Sequence, residues 1–328
     1  MAQKLIISTS PHVHCGDTIE RNMYWVIAAL MPALIASFVI FGLGALIVTA
    51  TSVASCLFFE WFITRFLLGR KKSTIADGSA IITGILLAFN LPSNMPLYMI
   101  VMGALVAIGI GKMAFGGLGN NPFNPALVGR VFLLISFPAV MTSWPEPHQL
   151  GVYADAVTGA TPLNLISQIA GGNTAAVDQL PALSTLFMGH IGGCIGEVST
   201  LALLIGLVIL LWRKVITWHI PFTILLTVAV LTGIMWLINP VLYVNPLYHL
   251  CSGGLMLGAV FMATDYVTSP MTAKGMVWYG IGIGFLTVVI RYFGSYPEGM
   301  SFAILIMNAV TPLINNWCKP KRFGEAVK

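Results

Sequence analysis

Charge is what this chain has least of. Only 8% of its 328 residues are Asp, Glu, Lys or Arg, against about 25% in soluble globular proteins, so a water-soluble fold is excluded. Cysteine is sparse as well. Cys15, Cys56, Cys194, Cys251 and Cys318 are scattered and form no CxxC pair, which argues against a disulfide framework or a zinc site. There is no P-loop, no GxGxxG and no Ser-His-Asp arrangement, so ATPase and hydrolase readings have no support. Basic clusters never exceed three residues, at Arg70, Lys71 and Lys72. The formal charge of +5 is therefore not a nucleic-acid footprint, and no nucleic-acid partner is expected. Residues 1–21 are polar and hold no apolar h-region, so no cleavable signal peptide is read.

What remains is apolar. Hydrophobic residues make up 57% of the chain, in continuous runs of about 17–25 residues rather than period-two alternation, which points to membrane-spanning helices and not a barrel. The expected fold is an all-α polytopic membrane protein with about ten spans, at 23–41, 45–66, 78–91, 96–115, 122–141, 185–212, 218–238, 249–264, 275–293 and 299–317. The 33 Gly and 18 Pro suggest close-packed and interrupted helices. Positive charge orients the spans. With both termini in the cytoplasm, Arg291 alone of the 16 basic residues faces outward, leaving 15 inside. That phasing puts the long stretch 142–184 outside, between a first five-helix half (1–141) and a second (185–328).

The halves look related. Gly78-Ser-Ala-Ile-Ile-Thr-Gly84 followed by Leu91-Pro92 has a counterpart in Gly253-Gly-Leu-Met-Leu-Gly258 followed by Ser269-Pro270. Short Gly/Pro-interrupted spans at matching places in oppositely oriented halves point to a midplane site; two unrelated packing faces give the same pattern.

Several polar residues sit at or near membrane depth, where they are expensive and usually functional. Glu197 follows a Gly-rich run and is either an ion-path residue or an interfacial cap. Asp265, Glu60 and Asp77 are further candidates, or ordinary carboxylates near Lys or Arg. Asn120-Asn121-Pro122-Phe123-Asn124-Pro125 is capping chemistry at a helix start, and Arg130 beyond it can pair with an acid or a flat ligand. Thr264, Thr268 and Ser269 can line a ligand or ion path, or merely form turns. His12, His14 and Cys15 lack a fourth ligand for a metal, and no metal site is expected.

The most pointed stretch is Asp155-Ala156-Val157-Thr158-Gly159-Ala160-Thr161. On residue types alone Thr161 is a cap, a glycan-like acceptor or a cofactor attachment point. The pattern Asp-x-x-Ser/Thr-Gly-Ala-Thr/Ser resembles the flavinylation motif of the Rnf and Na⁺-pumping NADH:quinone oxidoreductase complexes, and all five defined positions match: Asp155, Thr158, Gly159, Ala160 and Thr161. Ser10-Pro11-His12, Met31-Pro32-Ala33, the 121–125 segment, residues 193–197 and 262–270 extend the resemblance over nearly the whole chain. The early entry into the membrane is similar to the RnfD branch of the NqrB/RnfD family, since NqrB carries a longer N-terminal extension.

The resemblance implies a urea-transporter-like fold of two inverted five-helix repeats in a bacterial inner membrane. It implies FMN in phosphoester linkage to Thr161, installed by a flavin transferase, and a second, non-covalent riboflavin or FMN among the helices, for which Arg130, Thr264 and Ser269 are the guesses. It implies one component of a larger complex, not catalytic alone, that passes electrons between the ferredoxin and NAD⁺ sides with coupled Na⁺ or H⁺ movement. Its partners would be the other Rnf proteins, RnfA, RnfB, RnfC, RnfE and RnfG, above all RnfG, the other carrier of covalent FMN. An NqrB-like quinone-reducing role and a urea-channel-like solute transporter are the alternatives.

Overall fold

The computed structural model describes residues 18–70, 74–147, 151, 153, 157–197, 199–294, 296 and 298–319. Asp155, His12, His14 and Cys15 lie outside the described residues. Within them the chain is helical, with no strand beyond an isolated bridge between Pro145 and Thr158.

The helices in chain order are α1 (Ile19–Phe41), α2 (Leu43–Phe62), α3 (Ser79–Phe89), α4 (Leu97–Leu105), α5 (Pro125–Ser136), α6 (Pro138–Met141), α7 (Pro162–Ala170), α8 (Leu183–Met188), α9 (Thr200–Trp212), α10 (His219–Ile238), α11 (Pro246–Cys251), α12 (Leu255–Leu257), α13 (Ala273–Phe293) and α14 (Met300–Trp317). Single π turns prolong α2, α4 and α12, over Ile63–Leu67, Val106–Ile110 and Gly258–Met262.

Among the described residues, five segments are long and apolar enough to cross a bilayer: Ile19–Phe41, Leu43–Leu67, Leu97–Phe115, His219–Ile238 and Ala273–Phe293. They turn large apolar side chains outward, as at Leu237 and Phe293, 77% and 78% exposed. That is a surface suited to lipid. Inside, α1 packs on α9, α2 on α3 and α4, α10 on α13, and α14 on α13 and α5.

Three expected spans are broken. The run 185–212 is helical only as α8 and α9: Gly189 ends α8 at φ +99°, and Ser199 Oγ opens α9 by accepting from Ala202 N at 3.3 Å. The run 249–264 is interrupted between α11 and α12. The run 122–141 starts at Pro125, where Asn124 Oδ1 accepts from Ala126 N and Leu127 N at 3.1 and 3.4 Å, and it breaks before Pro138. In each case glycine or proline disfavours continuation. Residues 142–184, expected as a loop, carry α7 and the start of α8. They also have a small core of Leu165, Ile169 and Ala176, with Val244 packed against it.

Breaks inside an apolar layer must have their backbone groups satisfied by protein. At the end of α3, Phe89 O accepts from Gly196 N at 2.9 Å and Leu91 O from Ile195 N at 3.0 Å. Cys194 Sγ donates to Asn90 O at 3.3 Å. The segment 192–197 therefore lies directly on the tip of α3. A Cβ at Gly196 would stand 2.3 Å from both Cβ and Cγ of Phe89.

Two buried cations serve other ends. Lys112 Nζ lies 2.6 Å from Glu60 Oε2 and donates to Ser79 Oγ, also at 2.6 Å, at the start of α3; Thr74 Oγ1 donates to Glu60 Oε1 at 2.7 Å. Arg291, on α13, donates to the carbonyls of His249 and Ser252 at 2.7 and 2.9 Å, at the break before α12.

Gly196→Ala should lower the thermal midpoint of the detergent-purified protein, through a destabilisation of about 1–3 kcal/mol or more, because the obstructing atoms include a Cβ that rotamers cannot move. A midpoint equal to wild type would show that α3 and the 192–197 segment are not in contact. Lys112→Met should cost about 3–5 kcal/mol by stranding the Glu60 carboxylate. The double variant with Glu60→Gln should lose clearly less than the sum of the singles, as a thermal double-mutant cycle would show.

Candidate functional site

Thr161 is the N-cap of α7. Its Oγ1 accepts from Asn164 N at 3.2 Å, and Pro162 follows in the first helical position, where a missing N–H costs nothing. The preceding backbone is held by Glu146 N donating to Val157 O and Gly159 N donating to Trp144 O, both at 2.9 Å. Gly159 is needed for that approach: a Cβ there would lie 3.0 Å from Glu146 Oε1. Thr158 and Ala160 are exposed, whereas Thr161 is only 9% exposed. The hydroxyl is thus less open than a turn residue in a polar loop would be. The apolar face of α7, with Leu163, Leu165 and Ile166 buried, draws it in.

What Thr161 faces is a cavity of about 370 Å³. Its walls include Trp144, Tyr296, the Gly192–Gly193 backbone, Gly253, Glu197 and Glu298. Gly253, at φ +68°, admits Leu163, whose Cδ1 would be 2.2 Å from a Cβ there. The cavity volume falls within the range of about 300–1,000 Å³ typical of small-molecule pockets, which combine apolar walls with a few polar groups.

Glu197 lies deep in this cavity, 7% exposed. Its Oε1 accepts from Cys194 N at 2.9 Å. Arg130 is also buried. It donates through Nη1 to Asn90 Oδ1 at 2.6 Å and to Ser301 Oγ at 2.8 Å, and Nη2 forms an ion pair with Glu298 Oε2. Arg130 thus pairs with an acid, and that acid reaches the Thr161 cavity. Asn90 continues the polar chain toward the other side, its Nδ2 donating to Leu86 O at 2.5 Å and approaching Met262 Sδ at 3.8 Å. Asn124 Nδ2 donates to Met262 O at 3.2 Å.

Beyond that constriction lies a second cavity of about 100 Å³, lined by Lys112, Asn121, Asn124, Thr264, Asp265 and others. Asp265 Oδ2 accepts from Thr268 Oγ1 at 3.2 Å, and Thr264 Oγ1 is tied to Val260 O at 2.7 Å. Ser269, whose N donates to Asp265 O at 3.1 Å, does not line it. Arg130, Thr264 and Ser269 therefore do not converge on one pocket as expected. Arg130 belongs to the Thr161 side, Thr264 to the other, and Ser269 to a turn. Asp77 caps α3, accepting from Ser79 N at 2.8 Å, and Glu60 is the partner of Lys112.

Sequence reasoning missed Glu298, Asn90 and Cys194. The signal for Glu298 was present: it is an acid between the last two spans, within the short polar stretch 294–299. Asn90 ends a short Gly-rich span just before Leu91-Pro92, which is where a broken helix needs a side-chain donor.

Comparison with known proteins converges on one family. The family model described as "NQR2, RnfD, RnfE family" matches residues 6–324. The chain is 45% identical to the D subunit of the Na⁺-translocating ferredoxin:NAD⁺ oxidoreductase complex of Acetobacterium woodii, covering 98% of this chain and 95% of the relative. It is 41% identical to the D subunit of the proton-translocating ferredoxin:NAD⁺ oxidoreductase complex of Clostridium ljungdahlii, over 97% and 96%. It is 40% identical to the D subunit of the ion-translocating oxidoreductase complex of Stutzerimonas stutzeri, over 94% and 93%. With a family model spanning nearly the whole sequence and relatives covered almost end to end, the chain belongs to the NQR2, RnfD, RnfE family.

Proposed function

We propose that this chain is the membrane electron-carrying component of an Rnf-type complex, with FMN in phosphoester linkage to Thr161. The observation that carries the reading is the placement of Thr161. The last residue of the Asp155–Thr161 signature opens into a cavity of ligand size, walled by Trp144, Tyr296 and glycine backbone. A phosphoester there would keep its acceptor oxygens at the N-terminus of α7, where backbone N–H groups and the helix dipole favour negative charge. Bound flavin supplies one- and two-electron chemistry; the chain supplies the tether and the walls.

The second, non-covalent riboflavin or FMN has its best polar lining at the inner cavity, in Asn121, Asn124, Thr264 and Asp265. At about 100 Å³ that cavity is below the usual ligand size, so binding there requires the surrounding helices to part. The two cavities stand on opposite sides of the Asn90–Arg130 constriction. That arrangement supports coupled Na⁺ or H⁺ movement, with Asp265 on one side and Glu197 on the other.

The architecture is read as two inverted five-helix halves of a ten-span, urea-transporter-like bundle. Supporting this, Lys112 follows α4 and holds the start of the short helix α3, while Arg291 ends α13 and holds the break before the short helix α12. Both termini lie in the cytoplasm in this reading, and Thr161 faces outward, where a flavin transferase and RnfG meet it. RnfA, RnfB, RnfC and RnfE complete the assembly in a bacterial inner membrane.

The chain, expressed with its transferase and run on a denaturing gel, should fluoresce under ultraviolet light. Thr161→Ser should keep the band. Thr161→Ala and Thr161→Asn should abolish it, although Asn preserves the α7 cap; intact mass should show the loss of one FMN. A dark wild-type band overturns the reading. In the assembled complex, Asp265→Asn should impair ion-coupled turnover while leaving the fluorescent band intact. Full coupled turnover in that variant would remove Asp265 from the ion path.

A further inference from the structure

Glu197 and Glu298 do more than line the outer cavity. Each has one oxygen engaged and one without a partner. Glu197 Oε1 takes the Cys194 N–H, and Glu298 Oε2 takes Arg130, while Glu197 Oε2 and Glu298 Oε1 are buried and accept nothing. The two free oxygens face the same spot of backbone. A Cβ at Gly254 would lie 2.8 Å from Glu298 Oε1 and 3.6 Å from Glu197 Oε2. Ligand atoms from Glu197, Glu298 and Cys194 all lie within 4.8 Å of one another. Arg130 Nη1 would lie 3.7 Å from the same Cβ, yet neither oxygen has a hydrogen-bond donor, and a buried carboxylate oxygen without one is unfavourable.

The surrounding chemistry selects what that is. Cys194 Sγ is already engaged, donating to Asn90 O at 3.3 Å and facing Arg130 Nη2 at 3.9 Å, so the open donors are the carboxylate oxygens rather than the sulfur a soft transition metal prefers. The remaining donors are carboxylate oxygens, suited to a hard cation. Arg130 is paired with Glu298, and Arg291 stands nearby, with Nη2 3.2 Å from a Cβ placed at Gly253. Two fixed positive charges disfavour a divalent ion.

We propose that Glu197 and Glu298 form an exchangeable site for a small alkali-metal cation of the sodium class, in which the cation bridges the two free oxygens while Arg130 holds the other oxygen of Glu298. This deepens the ion-coupling part of the function above by naming where a cation is held, and it does not rest on Thr161 carrying flavin.

The test uses the intact complex and the carboxyl reagent dicyclohexylcarbodiimide, which labels buried protonated carboxyl groups, with peptide mapping by mass spectrometry. Label at Glu197 or Glu298 should fall as sodium chloride replaces choline chloride at constant ionic strength. Glu298→Gln should abolish sodium protection of Glu197, and Glu197→Gln should abolish that of Glu298. The fluorescent Thr161 band, where present, reports that each variant has folded, so failure of the cation site and failure of the flavin reading are seen separately. Label that follows pH but ignores sodium would mean that the pair holds a proton only, and would overturn the proposal. So would absence of label at both residues under every condition, because the site would then be sealed.

Discussion

The structure depends on how it satisfies backbone groups where helices stop inside the apolar layer. Lipid offers no hydrogen bonds, and each bare carbonyl there costs several kcal/mol. At the tip of α3 three successive acceptors, Phe89 O, Asn90 O and Leu91 O, are met by Gly196 N, Cys194 Sγ and Ile195 N. That repair requires an irregular stretch of chain at depth, so the helix cannot run through from α8 to α9. It also requires glycine where the Phe89 ring presses against the backbone. Glu197 is the next residue along the same stretch, which is why a carboxylate ends up buried at the head of a cavity.

The buried cations follow the same logic. Lys112 anchors the start of α3, Arg130 reaches its far end through Asn90, and Arg291 takes two carbonyls at the break before α12. Buried ion pairs are weak contributors to stability, because desolvation consumes most of the attraction. Their position at breaks gives them another use: each fixes the direction of a chain that no longer has helical bonds to fix it. Arg291 has carbonyl partners at the end of α11, where the helix dipole is negative.

Much of this was legible in the sequence, and the remainder fails for identifiable reasons. The runs that became α1, α10 and α13 are long, apolar and uninterrupted, and their helices match to within a few residues. The run 185–212 is nearly as apolar, and its cluster of glycines at 189–196 marks where it breaks, but not the distant helix tip that the broken segment packs against. The signature ending in Thr161 was readable as chemistry; its burial was not, because α7 tucks in through Leu163 and Ile166 only once the bundle exists. Arg130 could be recognised as needing an acid, yet nothing local joins it to Glu298, since helices α6 to α13 lie between them in the chain. Arg130, Thr264 and Ser269 stand apart in the structure, because polarity shows which residues are costly in lipid, not where in the bundle they meet.

The anchoring of Arg130 bears on how charge movements are linked. Arg130 is held by Asn90, Ser301 and Glu298 at once, so its positive charge is fixed beside the acids of the Thr161 cavity. Two opposite unit charges about 10 Å apart attract by about 1.7 kcal/mol at an effective dielectric of about 20, which sets the scale for a negative charge in the Thr161 cavity acting on a cation at the pair. That is somewhat more than a tenfold change in cation affinity. If Thr161 carries the proposed flavin and the pair the proposed cation, an electron arriving there would raise the pair's affinity for the cation without any helix moving, and its departure would lower it. The coupling needs only that both occupants share one low-dielectric cavity, which the broken helix and its glycine-rich repair create.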